Sequence, residues 1–300
     1  MRQLLSSLAV VLALAAFADA RLAQAETGFR LLVPEDMFLM QARQIATALD
    51  HESDLKIFPV FGDGAVTAPQ ILTSYSDIGA VILPSDIPAY RHSQKLHDVD
   101  SLTYVARLDS LPIFLVARRD IANVSQLSGK RIATGPANSA SFATGELVLG
   151  GANTSFLRVP LAGQDGLKAL VSGKADAALI LGRSPALALL PPGQFHLLAL
   201  NFGGQVAEIY QPALITAAEA PNLLQPNETV ETLASSLVIA VPTKAHNSGL
   251  TSFEQELLKF ERRSGATNLA AEVPGWTRAS GIAELLKQSA VTIQPTGGTP

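Results

Sequence analysis

Leu111-Pro-Ile-Phe-Leu-Val-Ala117, Arg131-Ile-Ala-Thr-Gly-Pro136, Ala137-Asn-Ser-Ala-Ser-Phe-Ala-Thr-Gly-Glu146 and Gly173-Lys-Ala-Asp-Ala-Ala-Leu-Ile180 together decide the architecture. An apolar run is followed by a strand, a small, hydroxyl-rich segment that opens a helix, and then a further strand (Phe156 to Leu161), a helix (Gln164 to Val171) and another strand. The chain then turns through Gly182-Arg-Ser-Pro185. Strand, small-residue loop and helix repeat, and each such loop can present backbone N–H groups to an anion. The pattern is that of a binding clamp rather than a catalytic core.

Upstream, the same rhythm starts at Phe29-Arg-Leu-Leu-Val33, a short buried strand ending at Pro34. Glu35 and Asp36 then open a helix with Met37, Met40, Ile45, Ala48 and Leu49 at roughly helical spacing. Leu55 to Phe61 is the next strand, followed by the turn Gly62-Asp-Gly-Ala65, a helix over Ala68 to Thr73 and a third strand, Asp77 to Leu83. Alternating strands and helices on short connections predict a parallel sheet covered on both faces. Leu102 to Leu108 and Leu111 to Ala117 are strands with only Asp109-Ser110 between them, so they are either antiparallel neighbours or one continuous crossing. The first crossover between lobes is placed there, and the return in Ser235 to Val241, ended by Pro242. A helix from Leu250 to Arg263, with Phe253, Leu257, Leu258 and Phe260 on its apolar side, and a last helix from Ile282 to Ser289 complete the chain. The expected organisation is lobe I from 26–110 and 236–292, lobe II from 111–235, and a disordered Pro/Gly/Thr tail at 293–300.

The first 25 residues read as a secretory signal: Arg2 supplies the n-region, Leu8 to Phe17 the apolar core and Ala23-Gln-Ala25 the cleavage site, with Ala18-Asp-Ala20 a second possibility. That apolar core is short of the roughly 20 residues that span a bilayer. Hydrophobic residues make up 48% of the chain, enough for a core in each lobe, and the formal charge of -4 carries no basic cluster for nucleic acid. The sequence contains no Cys, so it has neither a disulfide framework nor thiolate chemistry.

The series of segments resembles the periplasmic solute-binding proteins of type 2 topology, and within them the TAXI branch of TRAP-transporter receptors. The strand, Gly-Pro and Ser/Thr-rich loop of that branch corresponds to Ile132 to Ser141, its small-Asp-Ile ending to Ser76-Asp-Ile78, and its Gly-x-x-Asp-Ala to Gly173 to Ala177. The resemblance runs from Phe29 to Phe260. One position departs from it. A Gly-rich loop with an aromatic residue is usual after the first strand, whereas this chain has Pro34-Glu-Asp-Met-Phe-Leu-Met40, which opens the site to a cationic, zwitterionic or larger ligand.

Candidate ligand contacts follow from strand ends and loop chemistry. Asn138, Ser139, Ala140 and Ser141 lie between a strand and a helix N-terminus, where they either meet a carboxylate or phosphate or simply cap the helix. Asp63, Gly64 and Ala65 form the equivalent loop of lobe I, and Ser85 and Asp86 follow its third strand. Glu35 and Asp36 are either a cation-binding pair or first-turn acids complementing the helix dipole. Arg107 and Arg183 are candidates for an anion clamp, Gln164 for a polar contact and Tyr210 for stacking, with core packing as its alternative. The five histidines (His51, His92, His97, His196, His246) show no ligand spacing such as His-Glu-x-x-His, so zinc is not indicated. With no Gly-x-Ser-x-Gly elbow and no P-loop, an enzyme is not expected, nor is a cofactor.

These readings predict a monomeric periplasmic receptor that captures a small carboxylate or amino-acid-like solute between two hinged lobes and delivers it to the permease subunits of a TRAP-type transporter. A sensing subunit docked on a membrane receptor or kinase, and the binding component of an ABC importer, are the alternatives.

Overall fold

Strand β1 (Phe29–Val33) is flanked in parallel by β2 (Ile57–Phe61) and β3 (Ile78–Pro84), giving the order β2-β1-β3. These elements come from a computed structural model that describes residues 28–52, 55–201, 203–244, 248–264 and 268–293. The expected signal peptide and residues 294–300 of the expected tail lie outside the described residues.

β3 is buried along nearly its whole length, as a parallel strand covered on both faces should be. Helices α1 (Leu39–Glu52), α2 (Ala68–Ser74) and α3 (Ile87–Ser93) connect this lobe. A 3-10 turn, Asp36–Phe38, precedes α1, so the helix starts later than its acidic residues suggested. Ala42, Ile45 and Leu49 form the buried stripe of α1, continued by Phe38 of the 3-10 turn, while Met37 and Met40, read at the same helical spacing, are exposed.

The two apolar runs around Asp109-Ser110 form one continuous strand, β4 (Leu102–Arg118). The continuous crossing therefore holds and the antiparallel pair of neighbours does not. β4 pairs with the return strand β10 (Thr229–Pro242) as far as Pro112, then switches partners to β7 (Ala177–Leu181) from Ile113 onward. In lobe II, β5 (Arg131–Ala133) lies parallel between β6 (Leu157–Val159) and β7. Each lobe thus carries three parallel strands with one of the two long strands antiparallel at its edge. Two short additions, β8 (Phe195–Leu197) on β4 and β9 (Gln211–Thr216) on β10, have no counterpart in the sequence reading.

Helices α4 (Ala140–Gly151), α5 (Gly163–Val171) and α6 (Gln205–Ile209) belong to lobe II. The chain ends with α7 (Ser248–Ser264) and α8 (Ser280–Ile293). Phe253 of α7 is fully buried and stacks on Phe29 with ring centroids 4.3 Å apart, which docks α7 on lobe I. The largest buried apolar cluster is continuous across the lobes, joining Ile87 and Tyr90 to Phe142, Ala143 and Val148. Among the described residues no helix is long and apolar enough to cross a membrane.

Candidate functional site at the lobe junction

The residues singled out from the sequence separate into three groups at the junction. The first is a lock between facing loops. Ser139 takes extended backbone angles and caps α4, its Oγ accepting from the Phe142 N–H at 3.2 Å. This is the capping alternative for Ser139. Its hydroxyl also donates to the Pro136 carbonyl at 2.8 Å and lies 3.3 Å from Ser141 Oγ. The next amide, Ala140 N–H, donates to Glu35 Oε1 at 2.6 Å, and the same oxygen accepts from Ala65 N–H at 3.1 Å. One carboxylate oxygen of lobe I therefore joins an amide from each lobe. Burial raises the Glu35 pKa above the usual glutamate value, more than the Ala140 and Ala65 hydrogen bonds lower it.

Around this centre, Val66 N–H donates to the Asn138 carbonyl at 3.0 Å, and the Asn138 amide donates to the Asp63 carbonyl. The Asp63 carboxylate accepts from Thr67 Oγ1 at 2.7 Å within its own loop. Gly64 has φ +147 and lies against Asn138; a Cβ there would stand 2.8 Å from the Asn138 carbonyl carbon and closer to its oxygen. Only glycine fits this backbone and this approach. Gly64→Ala is expected to part the loops and speed hydrogen exchange at the Val66 and Ala140 amides about tenfold or more, measurable by mass spectrometry. Unchanged protection at both amides would show that the loops do not hold the lobes together.

The second group is buried. Asp86 is fully buried, with its carboxylate accepting from Thr144 Oγ1 at 2.6 Å, Tyr210 OH at 2.8 Å and Ser235 Oγ at 3.2 Å. Ser85 Oγ pairs with Ser235 Oγ at 3.1 Å and accepts from Ser236 N–H at 3.0 Å. Ser85, Asp86 and Tyr210 were expected at the ligand; the fold instead spends their polar atoms on a network tying β3, α4 and β10. For Tyr210 the packing alternative is the one realised. Burial raises the Asp86 pKa despite these hydrogen bonds, and burial together with the Asp86 charge pushes the Tyr210 phenol well up, keeping it a neutral donor.

The third group lines a cavity of about 760 Å³ between the lobes. Asp36, Ser141, Gln164 and Arg183 lie on its wall, together with Gln41 and Asp109, which the sequence reading had not marked as contacts. Arg183 is exposed and pairs with Glu219 through Nε at 2.7 Å and with Asp109 at 3.8 Å. Arg107 is not part of this wall; its backbone pairs with Asn268 from within β4. The signal for Asp109 was present in the two-residue join of the apolar runs, since residues at a crossover face both lobes.

Away from the junction, the fold gathers His92, His97 and Asp100 so that their ligand atoms lie within 4.8 Å of one another, a grouping that no motif spacing announced. All three are exposed, and His92 Nε2 lies 2.6 Å from Asp100 Oδ1.

No protein-family model matches the chain, and no curated protein matches it. Solved structures do. PhnD1 from Prochlorococcus marinus, in complex with methylphosphonate, superposes with a TM-score of 0.52 at 11% identity, covering 89% of this chain and 98% of that one. A TctC solute-binding protein from Polaromonas gives 0.50 at 14% identity, covering 88% and 96%. A protein from Xanthomonas citri bound to chloride ion gives 0.50 at 12%, covering 87% and 99%. The chain has the two-lobe fold of the type 2 periplasmic solute-binding proteins.

Proposed function

We propose that this chain is an extracytoplasmic solute receptor that holds a small organic solute in the junction cavity and hands it to a membrane transporter of the TRAP type. The observation that carries the reading is the cavity of about 760 Å³ walled by both lobes and by the crossing strand at Asp109 and Ser110. Its volume falls within the roughly 300–1,000 Å³ of small-molecule sites. It opens beside the carboxyl ends of β1 and β7, where α/β sheets present ligands. The TRAP assignment, and within it the TAXI branch, is supported by the motif series from Ser76-Asp-Ile78 to Gly173-Lys-Ala-Asp-Ala177. The switch of β4 from β10 to β7 after Pro112 supports a lobe boundary near residue 111. A solute touching both walls shifts the population toward the state in which both touch it, by its difference in affinity for the two states.

The test is a thermal-shift screen of amines, amino acids and carboxylates against the protein purified from a periplasmic fraction. A solute at about 100 times its dissociation constant adds roughly 2.7 kcal/mol of stability. Gln164 is exposed at the start of α5 on the cavity wall, so Gln164→Trp fills the cavity without touching the core and is expected to abolish the shift. A shift that survives Gln164→Trp places the solute elsewhere, and a panel without any shift removes the receptor reading.

A further inference from the structure

We infer that Glu35 is a resident counter-anion: its carboxylate fills the anion position at the N-terminus of α4, and the cavity beside it takes a solute whose charged group is an ammonium or guanidinium. The solute class rests on the receptor reading above; the role of Glu35 does not.

The free amides at the start of a helix attract an anion through both hydrogen bonding and the dipole. Here the first amide of α4 and the Ala65 amide of the facing loop converge on one oxygen of Glu35, at 2.6 and 3.1 Å. The Ser139 hydroxyl serves Phe142 N–H, so the first and third amides of α4 both find acceptors within the chain. Glu35 follows β1 directly after Pro34, and the short link leaves the side chain reaching across the junction rather than along its own helix.

What remains on the wall favours positive charge. The cation there, Arg183, is bound by Glu219 at 2.7 Å and faces Asp109 at 3.8 Å. Asp36 is exposed on the same wall, and Asp109 has a side chain 46% accessible. Gln41, also lining the cavity, has a buried side-chain oxygen with no hydrogen-bond partner among the described residues. Met37 and Leu181 give the apolar surface against which the carbon frame of an amine packs. A simple carboxylate would meet two carboxylates, a compensated arginine and an amide pair already in use.

The experiment is chemical rescue on the full chain. Glu35→Ala is expected to unfold about 3–6 °C below wild type. Sodium formate, against sodium chloride at equal ionic strength, is expected to restore at least half of that loss in Glu35→Ala and to leave wild type unmoved. Glu35→Gln keeps a carbonyl oxygen for both amides but loses the charge, and is expected between Glu35→Ala and wild type with no formate response, because the amide fills the formate position. Recovery of folded Glu35→Ala only when formate is present during refolding is rescue as well. Equal formate effects on wild type and Glu35→Ala, or none on either, overturn the assignment of Glu35. In the same assay putrescine and agmatine are expected to raise the wild-type transition and succinate is not; a succinate shift overturns the solute class. If formate rescues but no solute in any panel shifts wild type, Glu35 stands as the resident anion while the receptor reading falls.

Discussion

Asp86→Ala is expected to cost about 3–5 kcal/mol of folding stability, measured by urea denaturation at neutral pH. The side chain is fully buried and is the common acceptor for hydroxyls from α4, from the segment before β9 and from β10. Removing it leaves the Thr144 and Tyr210 hydroxyls only each other for a partner in a buried site, whereas Ser235 retains Ser85. Asp86→Asn keeps the volume and one acceptor, so its cost should be smaller. The difference between wild type and Asp86→Asn carries a pH signature. Burial raises the folded pKa of Asp86 above 3.8, so the folded state holds that proton more tightly than the unfolded chain. The stability this contributes is complete below 3.8 and is lost as pH rises through the folded value. Wild type should therefore gain on Asp86→Asn in acid and lose ground toward neutrality. A cost for Asp86→Ala below about 1 kcal/mol would mean that the buried hydroxyls find other partners.

The second large effect is expected at the opposite end of lobe II. Asp176 sits just before β7, accepts from Arg131 N–H at 2.9 Å, and chelates the Arg131 guanidinium at 3.1 and 3.0 Å; Arg118 approaches at 3.2 Å. The hydrogen bonds from Arg131 hold its pKa down at about 2, against the ordinary 3.8. A depression of that size corresponds to about 2 kcal/mol of stability at neutral pH. Because the folded value lies below the unfolded one, this contribution is present above pH 3.8 and is lost as pH falls through about 2. Asp176→Ala should thus cost about 2 kcal/mol at pH 7 and little near pH 2. A constant deficit across that range would assign the role of Asp176 to packing instead of charge.

Asp176 also marks how far the sequence could be read. Gly173-Lys-Ala-Asp-Ala was legible as the entry to a strand, and Gly173 does turn the chain with φ +72 after α5. What the aspartate binds was not legible, because Arg131 lies far away along the chain. The same limit applies to Ser85, Asp86 and Tyr210. Polar residues beyond strand ends look alike in sequence whether they face a cleft or one another, and only the packing of α4 on α3 decides. The strand and helix order was readable because apolar periodicity and Pro or Gly stops are local. β8, only three residues long, and β9, with mixed burial, carry too little pattern to be noticed. Glu35 was read as acting on a cation or on its own helix; it acts on the N-terminus of a helix a hundred residues later, a tertiary match that no spacing encodes.

The long strand β4 skips register against β10 between its pairs Asp109–Leu237 and Arg107–Val238, leaving Leu108 as an extra residue. Such a bulge bends the strand and increases its local twist, and a second one follows where the pairs Ala106–Ile239 and Tyr104–Ala240 leave Val105 extra. The bend at Leu108 abuts Asp109 and Ser110, which form part of the cavity wall. The bend and the cavity wall thus lie one residue apart. A solute contact at Asp109 therefore falls beside a bend of the strand that joins the lobes. Trimming or moving Leu108 would reset the resting angle of the ribbon and the shape of the cavity in a single step.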